Sequence, residues 1–155
     1  MKNGLKYFII CSIFIVFTLF VVLFKTNYVD IVLDARNNNS SDVLLIARAM
    51  YGEARGEPYE GQVAVGAVIL NRIEHPSFPN TLAGVIYQPG AFSCLNDGGV
   101  NAAVADSAYR AARDAINGND PSGGAIYYYN PDKSTSKWIF SRPVITVIGK
   151  HRFCS

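Results

Sequence analysis

Two apolar runs with helical periodicity, separated by a break, occupy Ile46 to Arg72, and three glutamates sit around the break in IARAMYGEARGEPYEGQVAVGAVILNR. Gly56 is flexible there and Pro58 has no amide for a continuing helical ladder, so one helix must end and a second begin. Val43, Ile46, Ala47 and Met50 share one stripe of a 3.6-residue wheel, and Glu53 continues it. Glu53 is therefore expected to point inward at a helix end. A carboxylate placed so loses hydration in its charged form, which favours keeping a proton to donate near neutral pH. Periodicity equally allows a frayed last turn from which the side chain reaches solvent, as most glutamates do.

The first helix should start at Ser41 or Asp42, whose side chains suit an N-cap, and run to about Glu53. Leu44 and Leu45 lie off the main stripe, so this helix reads as central. Pro58 suits the first turn of the second helix, which continues through Val63, Ala67 and Leu70. Ala64, Gly66 and Ala67 let it approach a neighbour closely, offsetting the roughly 1 kcal/mol that a mid-helix glycine costs. Glu60 falls in its first turn, where the helix dipole favours a carboxylate. Glu57 precedes Pro58 and reads as either a loop anchor or a cleft residue.

HPSFPN is a proline-marked loop, after which Thr81 starts a short helix through Tyr87, ended by Gln88, Pro89 and Gly90. GAFSCLNDGGVN is glycine-rich and polar, with Phe92 as its one large apolar residue. Val104, Ala108, Ala111, Ala112 and Ala115 predict an amphipathic helix over 102–117, with Gly118 terminating it and Arg110, Arg113 and Asp114 on its solvated side. Beyond Gly124, AIYYYN and PVITVI favour strands, and Gly149-Lys150 fits a tight hairpin turn returning through Arg152 and Phe153. In a strand Tyr127 and Tyr129 share one face and Tyr128 takes the other. The sum is an α+β domain in which a small antiparallel sheet packs beside helices.

Half of the 155 residues are apolar and the net charge is +2, with no basic stripe, so nucleic acid is not a predicted partner. Tyr7 to Phe24 is an uncharged apolar run of about 18 residues, long enough to cross a bilayer. Lys2 and Lys6 precede it, predicting a cytoplasmic N-terminus and an external domain. A cleaved signal sequence is the alternative, opposed by the run's length and by the lack of a small-x-small site in FKTNYVD. The expected layout is a membrane anchor or signal over 1–25, a linker over 26–41 and a domain over 42–155. Cys94 and Cys154 lie outside the anchor, as a disulfide or as two free thiols. His75 and His151 are the two histidines, in no ligand-spaced motif, and no metal or cofactor is predicted.

Three blocks, ARAMYGEARGEPYEGQVAVGAVILNR, HPSFPNTLAGVIYQPGAFS and YYYNPDKSTSKWIFSRPVITVIGKHRF, resemble the SleB/CwlJ-type cell-wall hydrolases associated with the spore cortex. They extend over Ile46 to Phe153. The resemblance implies a lysozyme-like or lytic-transglycosylase-like fold that cleaves peptidoglycan glycan strands, with Glu53 as the acid. It does not choose among germination, sporulation and vegetative wall remodelling.

Glycan cleavage needs a proton for the leaving oxygen, and a two-carboxylate mechanism also needs a second acid across the scissile bond. Glu57, Asp97 and Asp132 are the candidates for that second role. A lytic transglycosylase needs one glutamate only, since the substrate's own 6-hydroxyl attacks. The dominance of Glu53 favours that route at the N-acetylmuramic acid to N-acetylglucosamine bond. Flat apolar faces and polar groups for sugar contact are expected from Glu57, Phe92, Tyr128, Asn130 and Trp138. A hydrolytic muramidase and a non-catalytic wall-binding or assembly module are the alternatives.

Overall fold

The computed structural model describes residues 40–92 and 104–155, nearly all within a compact unit spanning Ser41–Ser155. The predicted membrane anchor, most of the predicted linker, Cys94 and Asp97 lie outside the described residues. No helix among the described residues is long and apolar enough to cross a membrane.

Helix α1 covers residues 40–54, so Ser41 and Asp42 already lie within it rather than capping it. Its stripe of Val43, Ile46, Ala47, Ala49, Met50 and Ala54 is buried. After the break, α2 runs over Tyr59–Glu74, with Pro58 as N-cap and Glu60 in the first turn. Every residue from Val63 to Ile69 is buried. The most enclosed helix is thus α2 rather than α1, whose Leu44 and Leu45 are only partly covered. A helix apolar on all sides belongs in the middle of a packed domain.

Close approach depends on Gly66. A Cβ there would stand 2.9 Å from Met50 Sδ and 3.1 Å from Ala115 Cβ, so α1 and the helix that carries Ala115 meet α2 where it has no side chain. Helix α3, Leu82–Ile86, begins as expected, with Thr81 Oγ1 accepting the Gly84 amide at 3.1 Å. Helix α4 covers Asp106–Ile116, buries Ala108, Ala111, Ala112 and Ala115 against α2, and is followed by Gly118 at φ 92°.

The sheet has the order β1-β3-β2, with β1 at Tyr127–Tyr129, β2 at Val144–Ile148 and β3 at His151–Cys154. Both pairings are antiparallel, with Tyr128 opposite Phe153 and Ile148 opposite His151. Gly149 turns the β2–β3 hairpin at φ 56° and Lys150 keeps a negative φ, the signs of a type II′ turn. A register irregularity falls between Val144 and Thr146 on the outer strand, whose Val144, Ile145 and Val147 side chains are exposed. Short helix α5, Lys137–Phe140, was not predicted and carries Trp138.

The connector from α4 to the sheet is fixed by Asp120. Its carboxylate accepts the amides of Ser122 and Gly124 at 2.8 Å each, the Ser122 hydroxyl at 2.5 Å and Asn71 Nδ2 at 3.0 Å. Burial alone would raise its pKa, but these hydrogen bonds from Ser122, Asn71 and Gly124 together hold it below the usual carboxylate range. The carboxylate therefore stabilises the fold fully above the unfolded-chain pKa, and that contribution is lost as pH falls through the folded value. Asp120→Ala is expected to cost about 1–3 kcal/mol at neutral pH. Urea midpoints of the two proteins should converge on acidification, and a gap independent of pH would disprove the ionic role.

Candidate active site

Glu53 occupies the penultimate position of α1 and is half-buried. The chain reverses directly after it, because Gly56 adopts φ 93° and the Glu57 amide donates to Ala54 O at 3.0 Å. Arg72, in the last turn of α2, supplies the opposing charge. Its Nε donates to Ile126 O at 2.8 Å, and its guanidinium carbon lies 5.2 Å from the centre of Phe78 and 5.9 Å from those of Phe92 and Tyr127. Burial lowers its pKa, while Tyr128, Tyr127 and the Glu53 carboxylate oppose that fall. An arginine so placed stays charged. Among the described residues Glu53 is the carboxylate whose charge acts on it.

Aromatic rings extend from this pair along β1. Phe78 meets Tyr127 at 5.8 Å between centroids, and Tyr127 meets Trp138 edge-on at 5.1 Å. Trp138 is 49% exposed, and Arg142 lies over it at 4.4 Å. Tyr128 takes the opposite face, against His151 at 5.3 Å and Phe153 at 6.0 Å. The alternation expected for the tyrosine run is present, since Tyr127 and Tyr129 join one apolar cluster and Tyr128 the main core.

Three of the residues read from sequence as sugar contacts sit in supporting positions. Phe92 is fully buried beneath Arg72, so its ring underlies the guanidinium and presents no open face. Asn130 Oδ1 accepts the Asp132 amide at 2.9 Å and shapes the turn after β1. Glu57, 8% exposed at its side chain, accepts the Lys150 amide at 2.8 Å through Oε2. Of its two sequence readings, the anchor describes these contacts. Asp132 is exposed. Sequence reasoning did not single out Arg72, Phe78 or Arg142, whose only signal was that they fall within the three matched blocks.

A cavity of about 380 Å³ lies elsewhere, between the ends of α2 and α4 and Asp120, and none of Glu53, Tyr128 or Trp138 lines it. Its walls offer no candidate acid beside an aromatic surface, so chemistry rather than volume locates the site. Cys154 is a buried thiol directed at Tyr127 O, 3.7 Å away.

A helix-end glutamate, a half-buried guanidinium and a row of rings ending at the exposed Trp138 make an arrangement suited to sugar contact in a small α+β domain. The chain belongs to the cell wall hydrolase family, whose model matches residues 56–154. It is 57% identical to the spore cortex-lytic enzyme of Halalkalibacterium halodurans, over 76% of this chain and 36% of that protein. Identity to the spore cortex-lytic enzyme of Bacillus cereus is also 57%, over 75% of this chain and 45% of the relative. The chain thus spans less than half the length of these curated relatives. Cell wall hydrolase CwlJ of Bacillus subtilis is 31% identical over 74% of this chain and 84% of its own length. In structure, the catalytic domain of Bacillus cereus SleB matches with a TM-score of 0.71 at 57% identity, covering 75% of this chain and 91% of that one. The catalytic domain of the germination-specific lytic transglycosylase SleB of Bacillus anthracis matches equally, covering 74% and 93%.

The hairpin that supports Tyr128 has its own electrostatic signature. Burial lowers the pKa of His151, opposed by Glu57 3.9 Å from Nδ1 and assisted by Lys133. Below the ordinary imidazole value the unfolded chain gains a proton that the native state resists, so stability falls with pH until the folded value is passed. His151→Phe should flatten that decline in thermal midpoints between neutral pH and pH ~5, and an unchanged slope would refute it. A methyl group on Gly149 would collide with Glu57 Oε2 and stand 2.7 Å from Pro58 Cδ. Gly149→Ala is therefore expected to cost about 1–3 kcal/mol by chemical denaturation.

Proposed function

We propose that the chain cleaves peptidoglycan glycan strands as a lytic transglycosylase, at the N-acetylmuramic acid to N-acetylglucosamine bond, with Glu53 as general acid and then base. The observation that carries the reading is that one carboxylate, at a helix end, acts on the half-buried charge of Arg72, which lies against a wall of aromatic rings. The likeness to a relative described as a lytic transglycosylase supports it. A lysozyme-like or lytic-transglycosylase-like fold fits the same reading.

In this scheme the Glu53 carboxyl gives its proton to the bridging oxygen as the bond from that oxygen to the anomeric carbon breaks. The resulting carboxylate takes the proton of the muramic 6-hydroxyl, whose oxygen bonds to the anomeric carbon and closes a 1,6-anhydro ring. Glu53 ends protonated, and no water is consumed. Arg72 offsets the negative charge that Glu53 carries between the two transfers. A hydrolytic muramidase would need a second acid opposite Glu53. Glu57 is committed to the Lys150 amide, which disfavours it for that task.

The apolar run at 7–24 would tether the domain on the outer side of the membrane, or direct its secretion if cleaved. Peptidoglycan is then the partner, with no cofactor required.

Purified cell walls digested with the full chain and analysed by mass should yield 1,6-anhydromuramoyl ends. Reducing ends would instead establish hydrolysis, and binding without release would establish a wall-binding module. Glu53→Gln should lower cleavage by about 10²–10⁴-fold while keeping wall binding. Undiminished activity in that variant would remove Glu53 from the mechanism.

A further inference from the structure

Beyond the rings near Glu53, the aromatic wall ends in a cation with no acidic partner. Arg142 lies face-on to Trp138 at 4.4 Å and near Tyr127 at 5.6 Å. Its backbone amide donates to Ile139 O at 3.2 Å, at the end of α5. Its Nε is buried without a hydrogen-bond partner, and among the described residues no carboxylate pairs with it. A guanidinium stacked on an indole keeps its planar fork fixed in orientation, and a fork of N–H donors matches a carboxylate through two parallel hydrogen bonds. The ring contacts hold the side chain in place and leave Nε enclosed, so the terminal amino groups of the guanidinium are the donors that can meet an incoming anion.

Arg142 is also connected to the proposed reaction centre by ring contacts. Trp138 touches Tyr127, Tyr127 touches Phe78, and both Tyr127 and Phe78 lie against Arg72, which feels the charge of Glu53. A glycan following this wall would bring a neighbouring sugar's substituents to Trp138. We propose that Arg142, oriented by Trp138, is a specificity-determining residue that receives a carboxylate borne by the glycan strand. This rests on the glycan-cleaving reading above. Two sources in peptidoglycan carry that chemistry, namely the lactyl group of a muramic acid without its peptide, and the free carboxylates of a stem peptide.

The test compares the full chain with Arg142→Gln and Arg142→Lys on three substrates: native walls, walls amidated at their carboxylates with carbodiimide and ammonia, and strands freed of stem peptides by an amidase. Thermal midpoints confirm that each variant folds. Sedimentation with walls, performed in the Glu53→Gln background, reads binding separately from cleavage.

Arg142→Gln is expected to raise KM on native walls by about 10-fold or more with kcat within about twofold, as loss of a charge-assisted contact requires. Arg142→Lys should fall between, because it keeps the charge but not the fork. On amidated walls all three proteins should share one raised KM. Retention of the wild-type advantage on peptide-free strands assigns the lactyl carboxylate, and its disappearance assigns the stem peptide. A KM unchanged on native walls overturns the proposal, as does an equal loss on amidated walls. If the unmodified chain releases no fragments, the cleavage reading fails. A charge-dependent difference in sedimentation would then still uphold the carboxylate contact, and equal sedimentation would overturn it.

Discussion

A hydrogen bond ties the tip of the β-hairpin to the helical layer: the Lys150 amide donates to Glu57, in the turn between the first two helices, while Arg72 and Asn71 of α2 bond the chain entering β1. That turn is tight because Gly56 supplies a positive φ and Pro58 caps the start of the next helix two residues later. The acceptor oxygen reaches the hairpin only because Gly149 has no side chain to block it. Through this bond the sheet is registered on the helical layer. The sheet then presents Tyr127 toward Arg72 and Tyr128 toward His151.

Local signals were legible where one residue type decides one backbone feature. Thr81 caps α3, Gly118 follows α4, Gly149 turns the hairpin, and the tyrosines alternate across β1, each as read from sequence. Helix α5 was missed because a four-residue helix is too short to show a period. The ranking of α1 and α2 by burial was not legible either. Both are apolar, and the packing of α3, α4 and β1 against α2 is what makes it central.

The candidate site was legible for its carboxylate and not for its cations. Glu53 could be placed at a helix end by counting turns. Arg72 carries no local signal, and its importance comes from rings contributed by residues distant in sequence, Phe92 and Tyr127 among them. Phe92 and Asn130 illustrate the converse difficulty. Composition marks such residues as suited to sugars, but whether a ring faces a groove or underlies a guanidinium depends on long-range packing.

The outer strand β2 has a further consequence. Its outer edge pairs with no other strand among the described residues, and with its exposed Val144, Ile145 and Val147 it would make a template for strand addition by another chain. Pro143 removes a donor where the strand begins, and the irregularity between Val144 and Thr146 breaks the even spacing that a foreign strand would need. The same five-residue stretch that finishes the sheet thereby guards the protein against fibrous self-association at high local concentration.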